Sequence, residues 1–441
     1  MPSVSQANKG RSMSPSGIIQ ARAQRAAKIL SKLFTDPPPP LIGGDDVEEE
    51  RYQAVDDLGE PAAQDSTSLQ YPRHGSLSDS LAALQNVRVW AIDGGVLTQQ
   101  LPYALILAGR AVVVKMVFSG HTTVEKFMEF PAFPYLLHST TDETQAAFEE
   151  SLAQLLNLWP EKMPTLWSGP AFFSSAQELF DAIPPQFHAL GVESRRRLQR
   201  AIDSVRNAAE LLAFLYALRH AQPGDLVLRD GRIWGNFGFL TGLISYGGTQ
   251  GQRVVDEFIQ ALQGAINRDV RIVGIIKSPE ASYCLSKLRE YDVKAALKVP
   301  SDTVFYHRTL DAGTRSSLWR ITGEKRSDAI AWFWENYGCF FLKVFPSILP
   351  FRVDFLTYNN MFQRWFVDEI LPTQLYVLAL GGGSPSGLPH PILIADHYAK
   401  IHRPDLVREL LEIIRVLENG DEEQRQLAEE MRAFITYREG G

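Results

Sequence analysis

Short apolar runs closed by Gly, Pro or a charge alternate with longer stretches of helical spacing over most of this chain. The runs Val87–Ile92, Ala104–Leu107 and Ala111–Phe118 are too short for helices and read as strands. Following one another closely, they predict an antiparallel meander that opens a mixed sheet. From Phe127 to Leu190 the pattern turns irregular, rich in Pro and aromatics, with one helical piece around Thr141–Leu158; it reads as an insertion over the core, at about 120–190. A long helix is expected from Glu193 to His220, then a strand at Asp225–Gly231, a helix over "VVDEFIQALQGAI" and a strand at Val270–Ser278. Such alternation makes the fold class α/β, a mixed sheet flanked by helices. Cys339–Phe355 predicts paired strands, and Pro391 suits the first turn of a late helix.

Against this pattern a few polar positions stand out. "VRVWAIDGGVL" places Asp93 and two glycines directly after a strand that reads as buried, so Asp93 is either a turn residue or a site residue. "LVLRDG" repeats the arrangement with Asp230, and two such acids can meet at one edge of an α/β sheet. Glu210 is the one charge in "AAELLAFLYAL" and begins a face that should be buried. A buried carboxylate needs a metal ion or a cationic partner, and Arg206, four residues earlier, is one candidate for a salt bridge. Lys277 closes "RIVGIIK", either as a solvated edge residue or, beside clustered acids, as a phosphate contact. In "GLPHPILIADHYAKI" either Asp396 or His397 faces the site. Several carboxylates on a mixed sheet suit hard divalent cations, and two such ions can activate a water and stabilise the leaving oxygen of a phosphodiester. No Walker-type phosphate loop, His-Glu-x-x-His or Gly-x-Ser-x-Gly occurs.

Composition narrows the setting. The 441 residues, 45% hydrophobic, allow one large core or two ordinary domains. Residues 1–75 divide into a basic stretch, with a helical spacing from Ile18 to Phe34 that suits docking on a partner, and an acidic Pro-rich linker from Asp36 to Asp65; this tail is expected to be largely disordered. The folded domain is expected to span 76–441. Two cysteines, Cys284 and Cys339, are too few for a disulfide framework, and no secretory signal or membrane span is legible, so the expected location is cytoplasmic. A net charge of −7 restricts any DNA contact to a local basic groove.

The motifs "AIDGG", the helix carrying Glu210, "LVLRDG", "VGIIKSP" and "LPHPILIADHYAKI" occur in an order that resembles the NurA family of DNA-end-processing nucleases, from about Val87 to Ile401. The resemblance implies a ribonuclease H-like core in which Asp93, Glu210, Asp230 and Asp396 bind Mn2+ or Mg2+, with two ions expected. It further implies that Lys277 holds the scissile phosphate and that Arg352, of "FRVDF", matches the family's late Arg-Val-acid strand. Arg352, His390 and His397 are then the substrate-binding candidates. Gly94 and Gly95 would let phosphate backbone or bound water come close. Two departures stand out: the family commonly has Tyr where this chain has Leu388, for which His390 or Tyr398 would compensate, and often His where it has Asp396. An Asp there favours metal binding over proton transfer.

The expected function is therefore a metal-dependent deoxyribonuclease that resects DNA ends in double-strand break repair, as a homodimer docked to a HerA-like hexameric ATPase. The alternatives are a noncatalytic adaptor of the same fold that regulates a translocase, and a ribonuclease or junction nuclease on the same core.

Overall fold

The computed structural model describes residues 23, 24, 27, 31, 63–64, 84, 87–100, 105–118, 122–137, 206, 210–211, 213–233, 248–277, 301–316, 318–321, 327–356, 370–381 and 386–439. The expected helix at Thr141–Leu158, most of the insertion, the first part of the long helix, most of the acidic linker and Cys284 lie outside the described residues.

In chain order the strands are β1 (Ala63–Gln64), β2 (Arg88–Gln100), β3 (Leu105–Phe118), β4 (Thr122–Leu137), β5 (Leu226–Asp230), β6 (Arg271–Ile276), β7 (Thr314–Arg315), β8 (Trp319–Ile321), β9 (Tyr337–Lys343) and β10 (Phe351–Leu356). They form one mixed sheet in the order β1-β8-β9-β10-β6-β5-β2-β3-β4, with β7 paired to β9. Pairing is parallel between β2 and β5 and between β5 and β6, and antiparallel elsewhere. The helices are α1 (helical at 206, 210–211 and 213–220), α2 (Gly248–Asn267), α3 (Asp302–Thr309), α4 (Asp328–Asn336), α5 (Leu371–Gly381), α6 (His390–Ala399), α7 (Arg403–Glu418) and α8 (Glu422–Glu439).

The meander is present, but its strands are longer than the apolar runs. Leu105–Leu107 and Ala111–Phe118 belong to one strand, β3, because Arg110 is held by partners described below and does not break the ladder. Asp93 does not end its strand: β2 continues to Gln100, still paired with β3, with Asp93 opposite Val112. Asp-Gly is thus not a hairpin turn. Part of the region that reads as irregular, Thr122–Leu137, is the edge strand β4. Its prolines are tolerated because an edge strand has no second neighbour to donate to, and the register slips where Pro131 and Ala132 lie opposite Arg110.

Alternation along the strands separates two faces. Val89, Ala91, Leu226, Leu228, Val273, Ile275, Phe351, Val353 and Phe355 share one core with Leu371, Leu375, Leu378, Ile392, Ala395 and Ala399, so α5 and α6 cover that face. Trp90, on the opposite face, meets Tyr216 edge-on, and Phe214 packs on Phe258, so α1 and α2 cover the other. The buried positions of α2, Val255, Phe258, Ile259, Leu262 and Ile266, follow a helical stripe. A second core joins α7 to α8 through Leu406, Leu410, Ile413, Leu417, Leu427 and Met431, and it includes Ala23 and Ala27. The basic N-terminal stretch is thus helical at these positions and packs on this chain's own C-terminal hairpin.

Candidate metal centre

Parallel pairing brings the middle of β2 level with the ends of β5 and β6. Ile92 lies opposite Arg229, and Asp230 opposite Ile275, so Asp93, Asp230 and Lys277 arrive close together. Asp225 pins this register at the other end. Its buried carboxylate accepts from Arg88 Nε (2.6 Å), Trp90 Nε1 (2.9 Å) and the Gln222 amide (2.9 Å), tying the start of β5 to β2. By alternation Asp93 and Asp230 point to the face covered by α6, which crosses β2 and β3. Asp396 follows the buried Ala395 at the border of that helix face. One oxygen each from Asp93, Asp230 and Asp396 lies within 4.8 Å of the others.

Lys277 sits on these acids, with Nζ 2.5 Å from Asp230 Oδ2 and 3.1 Å from Asp396 Oδ1. Lys400 holds the second oxygen of Asp396 at 2.6 Å. Asp93 is 8% exposed and makes no ion pair among the described residues; its Oδ1 accepts from the Gly94 amide at 2.7 Å. Burial and the neighbouring charges of Asp230 and Glu210 push its pKa from 3.8 to about 9, against the pull of Lys277. For Asp396, burial favours the neutral form, but hydrogen bonds and charge from Lys400 and Lys277 outweigh it and lower the pKa. Burial likewise opposes the Lys277 ammonium, yet Asp230, Asp93 and Asp396 raise its pKa. The donor set is all carboxylate, which fits a hard divalent cation such as Mg2+ or Mn2+.

A pH test follows. Between pH 3.8 and about 9 the folded protein keeps a proton on Asp93 that the unfolded chain releases. Stability from this group is therefore full below the lower value and is lost as pH rises through the upper one. In chelator, Tm should fall more steeply from pH 6 to 9 for the wild type than for Asp93→Asn. Added Mn2+ should raise the wild-type Tm more at pH 8 than at pH 6, because the ligand must lose its proton to bind. Equal slopes for the two proteins would overturn the assignment.

Glu210 is placed differently from its three partners. It lies on the α1 side, buried, with Oε2 2.9 Å from Arg229 NH2 and Oε1 3.5 Å from Arg206 Nε. The expected ion pair to Arg206 is present, and the stronger partner, Arg229, is a buried cation that also stacks its guanidinium over Phe214 at 5.7 Å. Burial raises the Glu210 pKa, with Arg229 and Arg206 opposing it. Its oxygens are not in the close carboxylate group.

The paired glycines also have another reason than the expected one. A Cβ at Gly94 would lie 2.3 Å from Glu210 Cγ, and one at Gly95 would lie 2.0 Å from the Ala399 carbonyl oxygen. Gly94 thus admits Glu210 from one face, and Gly95 admits the last turn of α6 from the other.

Of the remaining candidates, Arg352 is buried on the face opposite α6 and donates from Nε to Asp354 (2.7 Å), which also accepts from the Tyr337 hydroxyl. That places it in a buried polar network and not on the three acids. The buried guanidinium has its carboxylate on the same strand, and the Tyr337 hydroxyl on Asp354 links this pair to β9. His390 is half-buried, which lowers its pKa, and His397 is exposed, while Asp396 turns to the cluster. Leu388 is buried in the core under α6, and Tyr398 is 45% exposed.

Three residues were not foreseen. Arg229 carried a signal, since an Arg inside an apolar strand requires an anion. Lys400 is four residues after Asp396, a spacing that pairs charges on a helix. Arg110 gave none: its NH1 approaches the carbonyls of Tyr398 (3.4 Å) and Lys400 (3.3 Å), capping α6 from β3.

The model of the NurA domain matches residues 87–401. Among solved structures, the chain is similar to the crystal structure of the NurA nuclease from Sulfolobus solfataricus, with 12% identity, 93% of this chain and 99% of that one covered, and a TM-score of 0.42. It is also similar to the crystal structure of NurA bound to dAMP and manganese, with 9% identity, 81% and 92% covered, and a TM-score of 0.43. No curated protein matches.

Proposed function

Since the chain belongs to the NurA family, whose domain spans residues 87–401, we propose that it is a metal-dependent nuclease that hydrolyses DNA phosphodiesters. The observation that carries the reading is the convergence of Asp93, Asp230 and Asp396 within 4.8 Å, with Lys277 on two of them. The strand order β4-β3-β2-β5-β6, antiparallel in its first half and parallel in its second, supports a ribonuclease H-like core.

In this reading Asp93, Asp230 and Asp396 hold Mn2+ or Mg2+, and Glu210 supports the cluster through its charge and its contact with Gly94. A divalent cation bound there supplies Lewis acidity, activating water and neutralising charge at the phosphodiester. Asp93 would hold the cation as the carboxylate anion. Lys277, ion-paired to Asp230 and Asp396, is placed to turn its ammonium toward a non-bridging oxygen of the scissile phosphate. Arg229 fixes Glu210 from within the sheet, and Arg110 fixes the end of the helix that carries Asp396. The reading is direct hydrolysis by water without a covalent intermediate.

The family further points to a cytoplasmic homodimer that resects DNA ends with a HerA-like hexameric ATPase in double-strand break repair. Among the described residues no helix is long and apolar enough to cross a membrane. The test is cleavage of end-labelled single- and double-stranded DNA, beside RNA of the same sequence, with Mn2+, Mg2+ or chelator, alone and with the hexamer. Cutting of DNA that needs the cation is expected. Absence of cutting under every condition would favour the noncatalytic adaptor, and equal cutting of RNA would remove the DNA assignment. Light scattering of the purified protein, alone and with the hexamer, checks the dimer and the complex.

A further inference from the structure

The flank of α6 beside Asp396 carries more polar groups than the acid cluster uses. At 3.6 residues per turn, positions 390, 393, 397 and 400 fall in one row next to Asp396. These are His390, Leu393, His397 and Lys400, progressively open to solvent toward the C-terminal end. Lys400 carries the permanent positive charge of this row and is 61% exposed, with Nζ 2.6 Å from Asp396 Oδ2. Lys277 holds the other oxygen of the same carboxylate from inside the site.

We infer that Lys400 is a substrate-contact residue that binds a backbone phosphate neighbouring the scissile one, so that the His397–Lys400 end of α6 forms a track for the nucleic-acid backbone leading out of the site. The inference rests on the nuclease reading above. Its physical basis is that a carboxylate bound to a divalent cation attracts an ammonium less strongly than a free one does. When Asp396 ligates a cation its charge is neutralised, and the Lys400 ammonium, on a flexible and mostly solvated stem, is freed at the rim. Lys277 is enclosed between Asp230 and Asp396 and reaches inward, whereas Lys400 begins at the end of the helix, after Asp396, and reaches outward. Two cations at different depths on one carboxylate suit two successive phosphates of a chain better than a mononucleotide.

The experiment measures binding of a fluorescent phosphorothioate oligodeoxythymidine in Mn2+ across a salt series, for wild type, Lys400→Met and Lys400→Arg, with Mn2+ affinity measured separately by calorimetry. Lys400→Met should weaken DNA binding about tenfold at low salt. It should make the slope of log K against log salt shallower by about 0.7, the share of one phosphate on a single strand. Lys400→Arg should recover both, and Mn2+ affinity should not fall in either variant. DNA affinity and slope equal to wild type in Lys400→Met would overturn the inference. A loss of DNA binding that tracks an equal loss of Mn2+ affinity would also overturn it, making Lys400 a support for Asp396. Wild-type protein that binds no DNA would overturn the nuclease reading together with this one.

Discussion

Asp93→Asn is expected to lower the rate of DNA cleavage by at least about a thousandfold, the scale on which a group acting directly on transition-state charge is lost. Asp93 is the most buried member of the three-acid group. Burial and the charges of Asp230 and Glu210 make its carboxylate costly to ionise without a cation, and that cost makes it a strong ligand once one is present. Asparagine keeps the shape and removes the charge, so the folded state should survive. In chelator at pH 8 the variant should melt no lower than the wild type, because a strained acid has been replaced by a neutral amide. Mn2+ should then stabilise it much less than the wild type. Cleavage within tenfold of wild type, in protein shown to be folded by circular dichroism, would remove Asp93 from the site.

Gly95→Ala is expected to damage the site from a distance. The added Cβ would stand 2.0 Å from the Ala399 carbonyl oxygen and 2.8 Å from its carbon, and backbone atoms in a capped helix end cannot swing aside as a side chain can. Either β2 bends or α6 lifts. Arg110 and the burial of Ile392, Ala395 and Ala399 resist the second, so the cost should be about 1–3 kcal/mol of stability, as for an overpacked core. A displacement of α6 by about 1 Å would shift Asp396 and reduce the rate by about a hundredfold even in the molecules that stay folded. The checks are denaturant titration and cleavage at saturating Mn2+. Gly95→Ala with wild-type Mn2+ affinity and rate would show that Asp396 does not depend on this approach.

Much of the candidate site was legible without coordinates. Asp93 and Asp230 stand where apolar strands meet Asp-Gly, Lys277 closes the next strand, and the pattern around Pro391 gives the helix of Asp396. These features are local, so alternation, strand length and the preference of Pro for a first helical turn read them from neighbouring residues. The family resemblance added the suggestion that they act together.

Other features depended on which segments meet. That Asp93 is not a turn residue depends on the partners of β2. Past Ile92 it loses β5 but keeps β3, so the strand continues while one side opens to α6. That Glu210 takes Arg229 as its close partner follows from α1 crossing β5, a pairing nineteen residues apart that no helical spacing reveals. Arg352 was a substrate-binding candidate, and alternation on β10 puts it on the face away from α6, where it pairs with Asp354. The chain alone specified residue types and their periodicity, and hence strands, helices and candidate acids. Sheet order and register decided which acids meet, which face each side chain takes and which cations neutralise them, because charge interactions depend on separations of a few ångströms between residues far apart in the sequence.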